Sequence, residues 1–301
     1  MKIYENVSEL PQGTASDKII PGCMVLEGGA WRGIYTQGAL DCLMQQDINL
    51  QTTIGVSAGA MSGYSYVAGQ IGRAGRINLT YRHDPRYVGL PALMANHGVT
   101  GFDFVFGEVD KLLPLDRKRF FDPARRFIAV ATNCLDGKAT YFDKDRIGSG
   151  IFKAIQASAT VPYVSKMVLI DGIPYLDGGC AVKVPYSWAL EQGFEKIIVI
   201  RTRDKAYRKP VPEKPKAIIR TEYRRYPAIR EELETEAVRY NASLDQLDQL
   251  EKDGRVYVLA PSRPVTIRRF ESDMEKLGAL YHLGYDDAQA HIQEIRQYLG
   301  Q

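Results

Sequence analysis

The stretch TTIGVSAGAMSGYS (Thr52–Ser65) decides how the chain is read. A β-branched run ends in Gly55, Ser57 stands between Val56 and Ala58, and Gly59 leads into small, helix-compatible residues, so the core spells G-x-S-x-G. A reactive serine needs its hydroxyl at the apex of a sharp strand-to-helix turn, because neighbours screen it inside either element. Glycines at Gly55 and Gly59 let strand and helix close on each other without colliding side chains. A helix starting behind Ser57 also aims free N–H groups and its positive end at developing negative charge. The same letters fit a serine that merely caps a helix after a glycine turn, so the surroundings must decide.

Upstream, LEGGAWRGIYTQGAL (Leu26–Leu40) places a glycine pair between a strand and a helix. Backbone amides there can approach an anion closely, either a nucleotide phosphate or an acyl oxyanion. As a dinucleotide fingerprint it is poor, because the third glycine position falls on Ala30, and it lacks the Lys-Ser/Thr of a P-loop. As an oxyanion loop, Gly28, Gly29 and Ala30 offer N–H groups while Arg32 braces the loop or meets a substrate head group. Downstream, PYLDGGCAVKVP (Pro174–Pro185) sets Asp177 after a short apolar run and before two glycines. That is the pattern of a carboxylate held at a strand end, or of an ordinary D-G turn.

Between and beyond these motifs, strand-like runs (CMVLEGG, TTIGVS, RFIAVATNC, KATYF, MVLI, KIIVIRT) alternate with helical segments, two of them near 150–159 and 185–192. Alternation of this kind predicts an α/β fold with a mostly parallel sheet covered on both faces. Residues 1–20 read as an irregular lead-in and 21–201 as one unit. From 202 to 301 a mostly helical extension is expected to pack on that core, with a long helix over about 229–252, one returning strand (RVYVLAP) and a final amphipathic helix over about 271–299. Residues 201–230 carry eleven Lys or Arg (Arg201, Arg203, Lys205, Arg208, Lys209, Lys214, Lys216, Arg220, Arg224, Arg225 and Arg230) against three acids. With aromatics interleaved, as in TEYRRYPAIR, this is either a solvated loop or a surface for anionic membrane head groups.

Glycine loop, G-x-S-x-G and D-G-G, in this order and spacing, resemble the patatin-like phospholipase family, especially its bacterial cytoplasmic members. The resemblance covers about residues 22–200. It implies a three-layer α/β/α sandwich with a mostly parallel central sheet, and a Ser-Asp dyad that hydrolyses lipid carboxylic esters through an acyl-enzyme. Residue by residue, it implies Ser57 as nucleophile on an elbow flanked by Gly55 and Gly59, Asp177 as general base, and Gly28, Gly29, Ala30 and Arg32 as the oxyanion loop. Phospholipid, lysophospholipid or related acyl esters are the implied substrates. Two departures stand out: Ala30 replaces the usual third glycine, and Lys183 stands where many members place an acid.

Composition narrows the remaining classes. A net charge of +3 over 301 residues is far from that of a dedicated nucleic-acid binder. Cys23, Cys42, Cys134 and Cys180 are scattered without metal-ligand or redox spacing, so buried thiols are expected and no metal or organic cofactor is called for. No stretch has the apolar length of a signal peptide or a spanning helix, which points to a cytoplasmic protein touching membranes only peripherally, at the inner surface. Oligomeric state is not legible. A Ser-Asp-His triad would need His282 or His291, since His83 and His97 fall out of the usual order. The competing class is a non-catalytic lipid- or anion-binding module on the same fold.

Overall fold

The computed structural model describes residues 2–301 apart from Leu90, Leu93, Ala95, Asn96, His97, Val99, Pro215 and Lys216. Eight strands form the main sheet: β1 (Ile20–Leu26), β2 (Leu50–Val56), β3 (Arg126–Asn133), β4 (Ala139–Asp143), β5 (Val168–Ile170), β6 (Ile173–Asp177), β7 (Ile197–Ile200) and β8 (Tyr257–Leu259). Their order is β8-β7-β1-β2-β3-β6-β5, with β4 also on β3. Pairing is parallel from β8 to β3 and antiparallel where β4, β6 and β5 join.

Apolar residues on both faces of the parallel strands explain the layering. In β3, Phe127, Ala129 and Ala131 enter one core while Ile128 and Val130 enter another; β7 likewise divides Ile198 and Ile200 from Ile197 and Val199. A strand buried on both faces reads as a continuous apolar run and needs helices above and below. On the first face lie α1 (Ile34–Gln45), α2 (Ala58–Val67), α3 (Arg73–Tyr81) and α4 (Ile151–Ser158). On the second lie α5 (Tyr186–Glu191) and α6 (Pro227–Lys252), which contribute Trp188, Tyr240, Leu244 and Leu247. The result is the expected α/β/α sandwich. Its sheet is mixed at one edge because short hairpins supply the antiparallel strands. One turns at Asp171-Gly172 with φ of 50° and 78°, the left-handed pair that a tight hairpin favours.

The last helix, α7 (Met274–Leu299), returns to the first face and packs on α1. Asp273 caps its start, accepting from Glu275 N and Lys276 N at 3.1 and 3.2 Å. The two helices carry the same pattern, Y-x-x-G-x-x-D: Tyr35, Gly38 and Asp41 in α1, Tyr281, Gly284 and Asp287 in α7. Each glycine lies against the other helix's tyrosine backbone, and each tyrosine hydroxyl donates to the other helix's aspartate, at 3.1 Å for Tyr35–Asp287 and 2.5 Å for Tyr281–Asp41. Burial pushes the Asp41 carboxyl up to about 7, against the opposing pull of the Tyr281 and Gly72 hydrogen bonds. The helices are therefore clamped by a reciprocal, nearly symmetric pair of contacts.

Much of the basic run 201–230 is taken up by α6. Lys205 pairs with Glu251, Arg208 with Asp245 and Asp248, Lys209 with Glu236, and Arg220 with Glu234, while buried Arg201 lies near Asp248. Arg224 and Arg225 remain exposed; Lys216 lies outside the described residues. All four cysteines are buried and unbridged. Among the described residues, no helix is long and apolar enough to cross a membrane.

A methyl group at Gly38 or Gly284 would fall inside contact distance of the facing tyrosine carbonyl. Gly38→Ala and Gly284→Ala are each expected to destabilise the chain by about 2–3 kcal/mol, measured as a shift of the urea midpoint. An unchanged midpoint for either would show that the helices do not close on each other at these positions.

Candidate active site

Ser57 occupies the turn between β2 and α2 with φ 54° and ψ −120°, a conformation costly for a side-chain-bearing residue and persistent only where the surroundings impose it. The imposing contacts are visible. A Cβ at Gly55 would lie 2.6 Å from Ala60 N, and one at Gly59 would strike the Leu26 carbonyl, so the turn can be this tight only with glycine at both places. The Ser57 N–H donates to Ser158 Oγ at 2.8 Å, which ties the turn to the end of α4. Ser57 is 6% exposed, and its Oγ donates to Asp177 Oδ2 at 2.7 Å.

Asp177 is brought there by strand register. In β3, Val130 registers with Val56, the last residue of β2, and the next residue, Ala131, registers with Asp177, the last residue of β6. β4 pairs with β3 across Ile128–Thr132, overlapping both partners, so β2 and β6 share the opposite edge of β3 and meet end to end. The carboxylate is then fixed in detail. Its Oδ1 accepts from Gly179 N at 2.8 Å, its backbone N–H donates to the Thr160 carbonyl at 2.9 Å, and its carbonyl accepts from Thr132 Oγ1 at 2.9 Å. Burial pushes the Asp177 carboxyl above the usual range; the hydrogen bonds from Ser57 and Gly179 and the charges of Arg269 and Lys183 pull the other way and do not win.

The glycine loop closes the third side. Gly28 donates its N–H to the Lys183 carbonyl at 3.2 Å, leaving Gly29 and Ala30 as the loop's candidate donors. Ala30, in the place of the usual third glycine, adopts φ 49° and so bears a left-handed backbone that glycine would relieve. Behind the loop, buried Glu27 accepts from Thr202 N at 2.5 Å, from Thr202 Oγ1 at 3.1 Å and from the Tyr240 hydroxyl of α6. Sequence reading missed this anchor. Its signal was a single acid, Glu27, directly after an otherwise apolar strand.

Two hollows meet at Ser57. One, of about 300 Å³, is bordered by Asp177, Gly28, Gly29, Ala30 and Arg32, and walled by the 209–212 segment and by Leu233, Glu234, Glu236 and Ala237 of α6. The other, of about 80 Å³, is largely apolar, with Trp31, Ile34, Met61, Tyr87 and Phe270 around it. No histidine borders either hollow among the described residues. His83 meets the Ser272 carbonyl, His291 meets Tyr257 and Glu294, and His282 packs on Tyr4 and Tyr281; His97 lies outside the described residues. The glycine loop, the serine elbow and the D-G-G aspartate are thus brought together around one centre.

Residues 24–190 match the patatin-like phospholipase family. The chain belongs to that family. Residues 226–300, which contain all of α6 and α7, match a domain of unknown function, DUF6363. The uncharacterized protein YjjU of Escherichia coli (strain K12) is 29% identical over 184 residues, 60% of this chain and 51% of YjjU, so the similarity spans about half of that relative. Among solved structures, VipD from Legionella pneumophila is similar at 13% identity and a TM-score of 0.47, covering 98% of this chain and 71% of VipD. The type III effector protein ExoU is similar at 11% identity and a TM-score of 0.44, covering 94% of this chain and 54% of ExoU.

Gly178, directly after Asp177, has no room for a side chain, because a Cβ would run into the Val130 carbonyl. Gly178→Ala is expected to push Asp177 away from Ser57 and to destabilise the fold by about 1–3 kcal/mol. A variant with native urea midpoint and native reactivity toward a fluorophosphonate would show that the register on β3 does not constrain the pair.

Proposed function

We propose that this patatin-like protein is a Ser-Asp dyad hydrolase of lipid carboxylic esters. The observation that carries the reading is the 2.7 Å hydrogen bond from Ser57 Oγ to Asp177 Oδ2 at the meeting point of two hollows. Ser57 Oγ attacks the acyl carbonyl while its proton passes to Asp177. The oxyanion is met by the N–H groups of Gly29 and Ala30, and the start of α2 adds its positive end. Collapse of the tetrahedral species breaks the acyl C–O bond, and the alcohol leaves with the proton from Asp177. Water, deprotonated by Asp177, then cleaves the acyl-enzyme and releases the carboxylic acid.

A carboxylate is a weak base toward a serine hydroxyl at its ordinary pKa of about 3.9. The upward shift of Asp177 by burial narrows that gap. The smaller hollow, of about 80 Å³, suits the first few carbons of the acyl chain, and the larger, cation-lined one the alcohol half. Residues 21–201 are read as the catalytic unit, with 202–301 supplying the wall and the anchor behind the loop.

Ser57→Ala is expected to abolish both ester turnover and fluorophosphonate labelling, and Asp177→Asn to lower kcat by about 10²-fold or more. Because the base must be ionised, kcat/KM should fall with decreasing pH through a value above the ordinary carboxylate range. A carboxyl whose pKa is raised by folding stabilises the fold most at low pH and loses that contribution as pH rises through the raised value. Asp177→Asn should therefore melt higher than the native chain at neutral pH even as it loses activity. Absence of labelling in the native protein would favour a non-catalytic lipid- or anion-binding module.

Peripheral contact with anionic membranes is assigned to Arg224 and Arg225, both exposed. Sedimentation with vesicles containing acidic lipid should fall several-fold in Arg224→Glu/Arg225→Glu, each basic residue near such a surface contributing about 1 kcal/mol. Equal sedimentation of the double variant would remove this contact.

A further inference from the structure

The larger hollow is lined by four cations, Arg32, Lys183, Lys209 and Arg269, and they are not alike in how they are satisfied. Lys183 and Lys209 are bridged by a single carboxylate, Glu236 of α6, which spends one oxygen on each. The Glu236 carboxyl sits below its usual range because the two ammonium groups outweigh its burial, and burial together with Lys183 brings Lys209 down to about 8. Half-buried Arg32 and exposed Arg269 have no such partner: neither makes an ion pair among the described residues, Arg32 Nε is buried without a hydrogen bond, and the charge of Arg269 acts on the Asp177 carboxylate. Burial, followed by the like charge of Arg203, lowers the Arg32 guanidinium; the Glu27 carboxylate behind the loop pulls the other way, and Arg269 adds to the lowering. A partly desolvated guanidinium facing other cations is unfavourable unless an anion joins it.

We propose that this cluster is the binding site for a phosphomonoester dianion, and that the substrate is an acyl ester of glycerol phosphate, of the phosphatidic or lysophosphatidic acid class. Two unpaired guanidiniums match a group of charge near −2 at neutral pH, and their planar forks suit phosphate oxygens. A zwitterionic head group is disfavoured by the same inventory. Its ammonium would lie among Lys183, Lys209 and Arg269; Glu236 is already shared by two lysines, and Glu234, whose Oε1 is buried without a hydrogen bond, stands 3.7 Å from the Arg220 guanidinium. Hydrolysis at Ser57 then breaks the acyl C–O bond, with water supplying the hydroxyl of the released carboxylic acid and a proton restoring the glycerol phosphate hydroxyl. The substrate assignment rests on the hydrolase reading; the anion site rests on the cations alone.

The test compares three esters of one acyl chain on the full chain: oleoyl lysophosphatidic acid, oleoyl lysophosphatidylcholine and monooleoylglycerol. kcat/KM for the first should exceed each of the others by about tenfold or more, the worth of one charge-assisted contact. Arg269→Gln should reduce that ratio about tenfold, and Arg269→Lys should restore part of it. Equal kcat/KM for the three esters, or a ratio unmoved by Arg269→Gln, would overturn the assignment. Calorimetry on Ser57→Ala separates the two readings. Binding of glycerol phosphate that is lost in Ser57→Ala/Arg269→Gln supports the anion site even if no ester is cleaved, and no binding refutes it even if esters are. Inorganic phosphate binding as tightly as lysophosphatidic acid would mark a free-phosphate site and overturn the substrate class.

Discussion

Strand β3 is the template on which the site depends. Two chain ends meet on one edge of it: β2 arrives parallel and stops at Val56, β6 arrives antiparallel and stops at Asp177, and their partners Val130 and Ala131 are consecutive residues. A slip of one residue in either ladder would turn the following side chain to the opposite face, so the 2.7 Å contact between Ser57 and Asp177 is a statement about register before it is one about chemistry. The glycines follow from the same constraint. Gly55, Gly59 and Gly178 each stand where backbone crosses backbone within the space a methyl group would need. The mixed edge of the sheet is thus part of the same arrangement: only an antiparallel strand can bring its C-terminal end to face the C-terminal end of β2 on the same neighbour.

The C-terminal region is bound to this arrangement at two independent places. On one face, α7 is clamped to α1 through the repeated Y-x-x-G-x-x-D pattern, and α1 follows directly on the glycine loop. On the other, α6 reaches Glu27 through Tyr240 and walls the larger hollow with Leu233, Glu236 and Ala237. Both faces of the sheet are therefore braced by residues beyond 226, and the loop at Gly28–Ala30 lies between them. The basic run before α6 has a corresponding role. Five of its eleven cations are matched to the helix's carboxylates, and they fasten the segment that borders the hollow.

The parts of the fold legible in the sequence were those governed by local rules. Alternating strands and helices, the long helix ending at Lys252 and the final helix ending at Leu299 follow from periodicity and caps, and the three motifs are found together around one hollow. What escaped depended on partners far apart in the chain. Glu27 is informative only once Tyr240 and Thr202 are known to face it, and Arg269, in a loop without any motif, joins the hollow only through the fold. Two local signals were present and passed over. Asp171-Gly172 between apolar runs marks the hairpin that turns β6 antiparallel to β5, and the second copy of Y-x-x-G-x-x-D marks where α7 meets α1. The run 201–230 looked like an exposed basic patch because its acidic counterpart begins only at Glu231.

The electrostatics of the hollow link binding to basicity. Asp177 is raised by burial and held back by two groups that also belong to the cation cluster, Arg269 and Lys183. In the absence of an anion, those charges stabilise the ionised carboxylate and make it a poorer base. An anion seated between Arg32 and Arg269 would offset them and would itself stand as a like charge toward Asp177, and both effects move a carboxyl upward. Asp177, as the base of the proposed mechanism, would then be strongest when the proposed head group is in place and weakest toward water in the empty site. The proposed Ser57-Asp177 dyad is otherwise short of basicity, and this coupling would supply part of it from the proposed substrate's own charge.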